Sequence, residues 1–176
     1  AVVMNKASIE RGLGRSVFYK SYVDEERRYP GGQHDTFKIP PATTEDYLGE
    51  HAYAKLGEDG LIEPEMPVDE GDVLIGKVSP PRFLEESIGV GSLEEKTRDS
   101  STVLKRGENG VVDSVMVAET LGATKLVKVR IRSLRVPEIG DKFGSRHGQK
   151  GVIAMIVPQE DMPFSENGII PDLLLN

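Results

Sequence analysis

The residues best suited to chemistry lie in one stretch, GDKFGSRHGQKG, residues 140–151. Lys142, Arg146 and Lys150 fall four apart, and Asp141 is the only acid among them. The stretch carries a net charge of +2, while the remaining residues sum to −9 of the chain's −7 total. On a helix this spacing would place the three cations in one stripe. Gly140, Gly144, Gly148 and Gly151 argue against a helix, since each interior glycine costs about 1 kcal/mol relative to alanine. A loop is therefore predicted. In a loop, glycines let the backbone approach an anion closely, and unpaired amides join the cations in holding it. Two readings stay open from composition alone: a phosphate-type anion site, and a basic surface loop with turn glycines.

Other chemistries fit less well. A nucleotide P-loop needs Gly-Lys followed by Ser or Thr, whereas here Gln149 precedes Lys150 and Gly151 follows it. His147, Ser145 and Asp141 have the residue types of a nucleophilic triad, but three such residues within one loop rarely reach the necessary geometry. His34, His51 and His147 are too scattered for a zinc site, and there is no cysteine. The acidic pairs Glu45-Asp46, Glu85-Glu86 and Glu94-Glu95 lie in polar stretches and read as solvated surface rather than as metal ligands. Residues 159–164, QEDMPF, read as a turn with an apolar plug.

These residues must be positioned by a scaffold of 176 residues, long enough for one domain or one with an insertion. An acidic chain is a poor candidate for coating DNA, so any nucleic-acid contact must be local. The absence of cysteine removes disulfides, thiolate metal sites and thiol nucleophiles together. No apolar run reaches the length that spans a bilayer, and no signal-peptide order opens the chain. Both ends are apolar, Ala1-Val2-Val3-Met4 and Leu173-Leu174-Leu175-Asn176, so a fragment of a longer chain is expected. Frequent Gly and Pro between short apolar runs predict many short strands and few helices.

Asn5 is placed to cap a short helix through Arg11, with Gly12 as its stop. Alternation predicts a strand over 16–25. Another is expected over 36–39, ended by Pro40-Pro41. A helix is predicted over 45–56 with Thr44 as its cap, then an extended connector over 61–67 and a buried strand over 73–79. Residues 85–106 are polar and read as a long exposed loop. Residues 111–119 and 125–136 read as a hairpin joined through 121–124, with Val127, Val129 and Ile131 on a dry face and Lys128, Arg130 and Arg132 on a basic one. Strands are also expected over 152–157 and 169–175.

At GDKFGSRHGQKG, followed by a strand and EDMPFSENGIIPDLLLN, the chain resembles the second-largest subunit of cellular multi-subunit DNA-dependent RNA polymerases. VVMNKASIERGLGRSVFYKSY, ERRYPGG, GDVLIGKVSP, KTRDSSTVLKRGENGVVD and KVRIRSLRVPEIGDKFGSRHGQKG resemble the same region in the same order. The resemblance covers essentially the whole chain, and its wording is closer to archaeal and eukaryotic forms than to bacterial ones, with the archaeal favoured.

The resemblance implies a mainly β fold with a few short helices, part of a double-psi β-barrel interrupted by an insertion. Residues 1–15 and 137–176 would be the two parts of the hybrid-binding region, and 16–136 the inserted wall or flap. Lys142 and Lys150 match two lysines that face the active centre, near phosphates at the RNA 3′ end and of the incoming nucleotide. Arg146, His147, Gly144 and Gly148 would support that loop. No cofactor would be held by this fragment. The magnesium of the assembled polymerase is held mainly by the largest subunit, and a Glu-Asp pair near a second metal would immediately precede Ala1.

Partners implied are the largest and other polymerase subunits, template DNA and RNA, nucleoside triphosphate, and transcription factors at the wall, with no membrane. The location implied is cytoplasmic if archaeal and nuclear if eukaryotic. The fragment alone would be inactive. Two alternatives remain: a factor-docking module whose contact is the polar loop 85–106, and a free-standing anion-binding β protein.

Overall fold

The computed structural model describes residues 1–81, 97–122 and 124–176. The acidic pairs Glu85-Glu86 and Glu94-Glu95, and most of the expected polar loop, lie outside the described residues. The chain is mainly β. In chain order the elements are β1 (Val2–Asn5), α1 (Lys6–Glu10), β2 (Ser16–Glu25), β3 (Thr36–Phe37), β4 (Pro67–Val68), β5 (Val73–Ile75), β6 (Lys77–Ser79), β7 (Arg98–Asp99) and β8 (Thr102–Val103). There follow β9 (Gly110–Glu119), β10 (Lys125–Arg135), β11 (Lys142–Gly144), β12 (Lys150–Val157) and β13 (Leu173–Leu175). Single 3-10 turns occupy Glu50–Tyr53 and Gln159–Asp161. No described helix is long and apolar enough to cross a membrane.

Two compact units divide the chain. The smaller is Ala1–Phe18 with Leu134–Asn176, and the larger is Tyr19–Ser133. In the smaller unit, four strands form one sheet in the order β11-β12-β1-β13. β1 is central: it runs parallel to β12, with Met4 beside Ile156, and antiparallel to β13, with Met4 beside Leu173. Its backbone groups are thus satisfied by segments at the far end of the chain. Val2, Met4, Ile9 and Ile153 form the core of this unit, with Phe143, Ile156 and Leu173 packed around it.

α1 starts where expected, because the Asn5 side chain accepts the Ala7 N–H at 3.0 Å. It ends before Gly12, which sits at φ 110°. The buried Ser8 hydroxyl donates to Asp172 at 2.5 Å and accepts from Arg11 at 3.0 Å, tying the helix to the chain just before β13. Met162 is the buried plug after the second 3-10 turn; Phe164 is 75% exposed and does not join it.

The larger unit holds a sheet of order β2-β10-β9-β4 and two smaller ones, β3-β6-β7 and β5-β8. The alternation in β10 is as expected: Val127, Val129 and Ile131 are buried against Tyr22, Leu74, Ile75 and Val112. β9 and β10 form the expected hairpin, closed where the Thr120 N–H donates to the Thr124 carbonyl at 2.9 Å. The basic face of β10 is largely neutralised. Asp113 accepts from Arg130 at 2.7 Å and from Arg132 at 3.3 Å, and Arg132 also reaches both oxygens of Glu65. Those hydrogen bonds from Arg132 and Arg130 hold the Glu65 and Asp113 carboxyls below the usual range.

Several expectations need correction. Residues 45–56 do not form a helix. Asp46 has φ 63° and Gly49 φ 97°, so the backbone turns left-handed twice where a helix would need neither. Glu45 instead bridges Arg98, and its carbonyl accepts the Asp99 N–H. Thr44 caps nothing: its hydroxyl is buried without a partner. Tyr53 is buried, stacks on Tyr47 at 5.1 Å, accepts the Leu48 N–H and donates to Asp99.

Residues 73–79 are one buried run but two strands. They break at Gly76, where a Cβ would lie 2.6 Å from the Lys38 carbonyl oxygen. Residues 97–106 are not an exposed loop. They contribute β7, β8 and the buried Leu104, which joins the main core. The strands expected over 36–39 and 169–175 are shorter, at Thr36–Phe37 and Leu173–Leu175.

A buried polar cluster crosses the larger unit. Lys77, 8% exposed, donates to Asp24 at 2.6 Å and lies 3.9 Å from Asp35. Thr102 also donates to Asp24, and Asp35 accepts the Arg27 N–H.

Candidate functional site

The basic segment is a β-hairpin rather than a loop. β11 and β12 pair antiparallel, with Lys142 opposite Val152, Phe143 opposite Gly151 and Gly144 opposite Lys150. The tip is a three-residue loop of Arg146, His147 and Gly148. Ser145 donates its N–H to the Gln149 carbonyl at 2.9 Å, and Gly148 donates to the Ser145 carbonyl at 3.2 Å. A loop of this length needs a left-handed residue in third place, and Gly148 supplies it at φ 77°.

Residues directly opposite in a ribbon share a face, and successive residues alternate. Phe143 and Gly151 therefore share one face, and Lys142, Gly144, Lys150 and Val152 share the other. The first face is seated on the core. A Cβ on Gly151 would lie 2.7 Å from Val2 Cγ2, and one on Gly14 would lie 3.1 Å from the Phe143 ring. The second face is exposed. Lys142 and Lys150 are diagonal neighbours on it, roughly 7–8 Å apart at the backbone.

Arg146 and His147 occupy the exposed tip, beyond the paired strands. Among the described residues, Lys142, Arg146 and Lys150 make no hydrogen bond or ion pair. The nearest acid in sequence is turned away: the Asp141 carboxylate accepts the Glu138 N–H at 3.0 Å. Asp141 and Ser145 are both committed to turns, since the Ser145 hydroxyl accepts the His147 N–H. That use is structural and replaces any triad. Among the described residues, no group of three His, Asp or Glu side chains is placed to hold a metal ion.

The hairpin thus brings together the two lysines that the sequence singled out and sets Arg146 and His147 at the tip. What the sequence reading missed is the seat, Phe143 and Gly151. The signal was present: an apolar residue between two polar ones, repeated at period two on both arms.

A cationic hairpin of this design, set at the edge of a sheet built from both ends of the chain, coincides with a family match across the full length. The model of RNA polymerase Rpb2, domain 6, matches residues 1–176. The chain belongs to this family. It is 53% identical over 176 residues to the DNA-directed RNA polymerase subunit Rpo2 of Sulfolobus acidocaldarius. It is 46% identical to the DNA-directed RNA polymerase II subunit RPB2 of Schizosaccharomyces pombe and 41% identical to subunit 2 of RNA polymerase II of Arabidopsis thaliana. Each match covers all of this chain and, respectively, 16%, 14% and 15% of the relative. The Rpb2 domain 6 chain therefore spans about one-sixth of the curated relatives it matches, and it is of the archaeal and eukaryotic type.

Proposed function

We propose that this chain is the part of an RNA polymerase second-largest subunit that presents Lys142 and Lys150 to phosphates at the RNA 3′ end or on the incoming nucleotide. The observation that carries the reading is the pair of unneutralised ammonium groups on one exposed face of a hairpin whose other face is fixed to the core. Nucleotidyl transfer is accelerated chiefly by positioning and by charge stabilisation. A compact ammonium on a flexible stem neutralises a phosphate without demanding a fixed bidentate geometry. Seating Phe143 and Gly151 on the core limits how far the hairpin can drift, so the lysines act from a pre-organised strand pair rather than from a free loop.

The chemistry itself belongs to the assembled polymerase. The magnesium ions are held mainly by the largest subunit, and this chain contributes positive charge beside them. Arg146 and His147, at the tip, support contacts to the nucleic-acid backbone. The smaller unit is read as the two halves of the hybrid-binding region and the larger as the wall, which guides the RNA–DNA hybrid. Such an assembly works where the genome is, in the cytoplasm of archaea or the nucleus of eukaryotes.

A second role, docking of transcription factors, falls to the larger unit. One observation favours it: Tyr19, Arg130, Lys128 and Met116 share an exposed sheet face, with Arg130 5.3 Å over the Tyr19 ring and Met116 opposite Lys128. Aromatic, Met and Arg side chains are the types enriched at such surfaces.

The test of the principal reading places Lys142→Ala and Lys150→Ala in the full-length subunit. Polymerase is reconstituted, and single-nucleotide addition is timed on a pre-formed RNA–DNA scaffold. Slow addition with normal assembly is expected. Normal addition in both single variants and in the double variant would overturn the reading.

A further inference from the structure

The four glycines of the hairpin segment are not alike. Gly140 and Gly148 have φ of 99° and 77°, where other residues are strained. Gly151 has no room for a side chain against Val2. Gly144 has neither reason. Its φ lies outside the left-handed region, and a Cβ built on it would meet nothing closer than the Gln149 carbonyl oxygen at 4.0 Å. A glycine inside a strand weakens it by giving the backbone freedom that folding must remove. The fold would therefore gain from a side chain at this position.

The position of Gly144 supplies what the fold does not. It stands directly opposite Lys150 and two residues from Lys142, on the exposed face that both lysines share. The strip between the two stems is bare backbone. From this we infer that Gly144 is a specificity-determining position: its missing side chain leaves the space in which a phosphate group settles between Lys142 and Lys150. A methyl group there would occupy the strip that the anion must enter, while leaving the strand pairing and both charges in place. The ligand is a phosphate group accepting hydrogen bonds from two ammonium groups at once, borne either by the RNA chain or by a nucleoside triphosphate. This inference rests on the phosphate reading proposed above.

The experiment uses polymerase reconstituted with the full-length subunit carrying Gly144→Ala, Gly144→Val or the double variant Lys142→Ala/Lys150→Ala. Assembly and thermal melting are recorded first. Two functional readouts follow: the apparent constant for nucleoside triphosphate in single-nucleotide addition, and the dissociation rate of the RNA–DNA scaffold at raised salt. Gly144→Ala is expected to worsen one of these about tenfold, the size of one weakened charge-assisted hydrogen bond, and Gly144→Val to worsen it further, with melting unchanged.

A change confined to the triphosphate constant identifies the nucleotide as the source of the phosphate. A change confined to scaffold dissociation identifies the RNA. If Gly144→Val alters neither while the lysine variant is impaired, the inference is overturned and the phosphate reading survives. If the lysine variant is also unimpaired, both fall. Failure of Gly144→Ala to assemble would likewise overturn the inference, because the glycine would then serve the fold.

Discussion

Placing a methyl group on Gly151 tests how the hairpin is seated. A Cβ there would come within 2.7 Å of Val2 Cγ2, and Val2 is a β-branched side chain only 1% exposed. Neither partner can move freely: Gly151 is in a paired strand, and the χ1 angle of valine is stiff. Forcing one extra carbon into a packed site costs about 1–3 kcal/mol. Val2→Ala alone removes two carbons, worth about 1.6 kcal/mol of transfer free energy, and the residual cavity adds to that. Combined, the two substitutions should not add. Val2→Ala makes the room that the new methyl needs, so the double variant is expected to be less destabilised than the sum by about 1–2 kcal/mol. Urea denaturation of the four chains, followed by circular dichroism, closes the cycle. A neutral Gly151→Ala, or losses that simply add, would refute the seating of Phe143 and Gly151 on β1 and with it the outward direction of the lysines.

Two further outcomes probe the larger unit. Lys77→Met should destabilise it by about 3–5 kcal/mol, because Asp24 and Asp35 are left buried without their cation; a melt close to the parent would contradict the ion-pair account. Tyr53 is held up to about 12, first by burial and then by its hydrogen bond to Asp99, so the folded form binds that proton more tightly than the unfolded form does. The stability this contributes is fully present below the ordinary tyrosine value of 10.0 and is lost as pH rises through about 12. In denaturation at several alkaline pH values, Tyr53→Phe should lack that part of the decline, and an identical decline in both proteins would sink the assignment.

Local signals in the sequence were read well. β2 and the β9–β10 hairpin carry alternation and a turn within one short stretch, and α1 carries its own cap. What failed was set by distant parts of the chain. Residues 45–56 have apolar residues at helical spacing, but Glu45 is taken by Arg98 and Tyr53 by Asp99, both about half a hundred positions downstream. Residues 73–79 look like one strand until the Lys38 backbone is found against Gly76. The pairing of β1 with β12 joins segments separated by the whole larger unit, which no local pattern reveals. At the site, charge and glycine content were legible, whereas the common face of Lys142 and Lys150 depended on the register of β11 with β12. Four glycines looked interchangeable in sequence, and only the neighbours of each Cβ distinguish them.

The central claim is that two lysines on one hairpin face each neutralise a phosphate. The most direct measurement is the salt dependence of RNA–DNA scaffold binding by polymerase carrying Lys142→Ala and Lys150→Ala together. Each lost phosphate contact lowers the slope of log affinity against log salt by about 0.7–0.9, so the double variant should lose about 1.4–1.8 from the parent slope. A slope equal to the parent's would mean that neither lysine meets a phosphate, and would contradict the account.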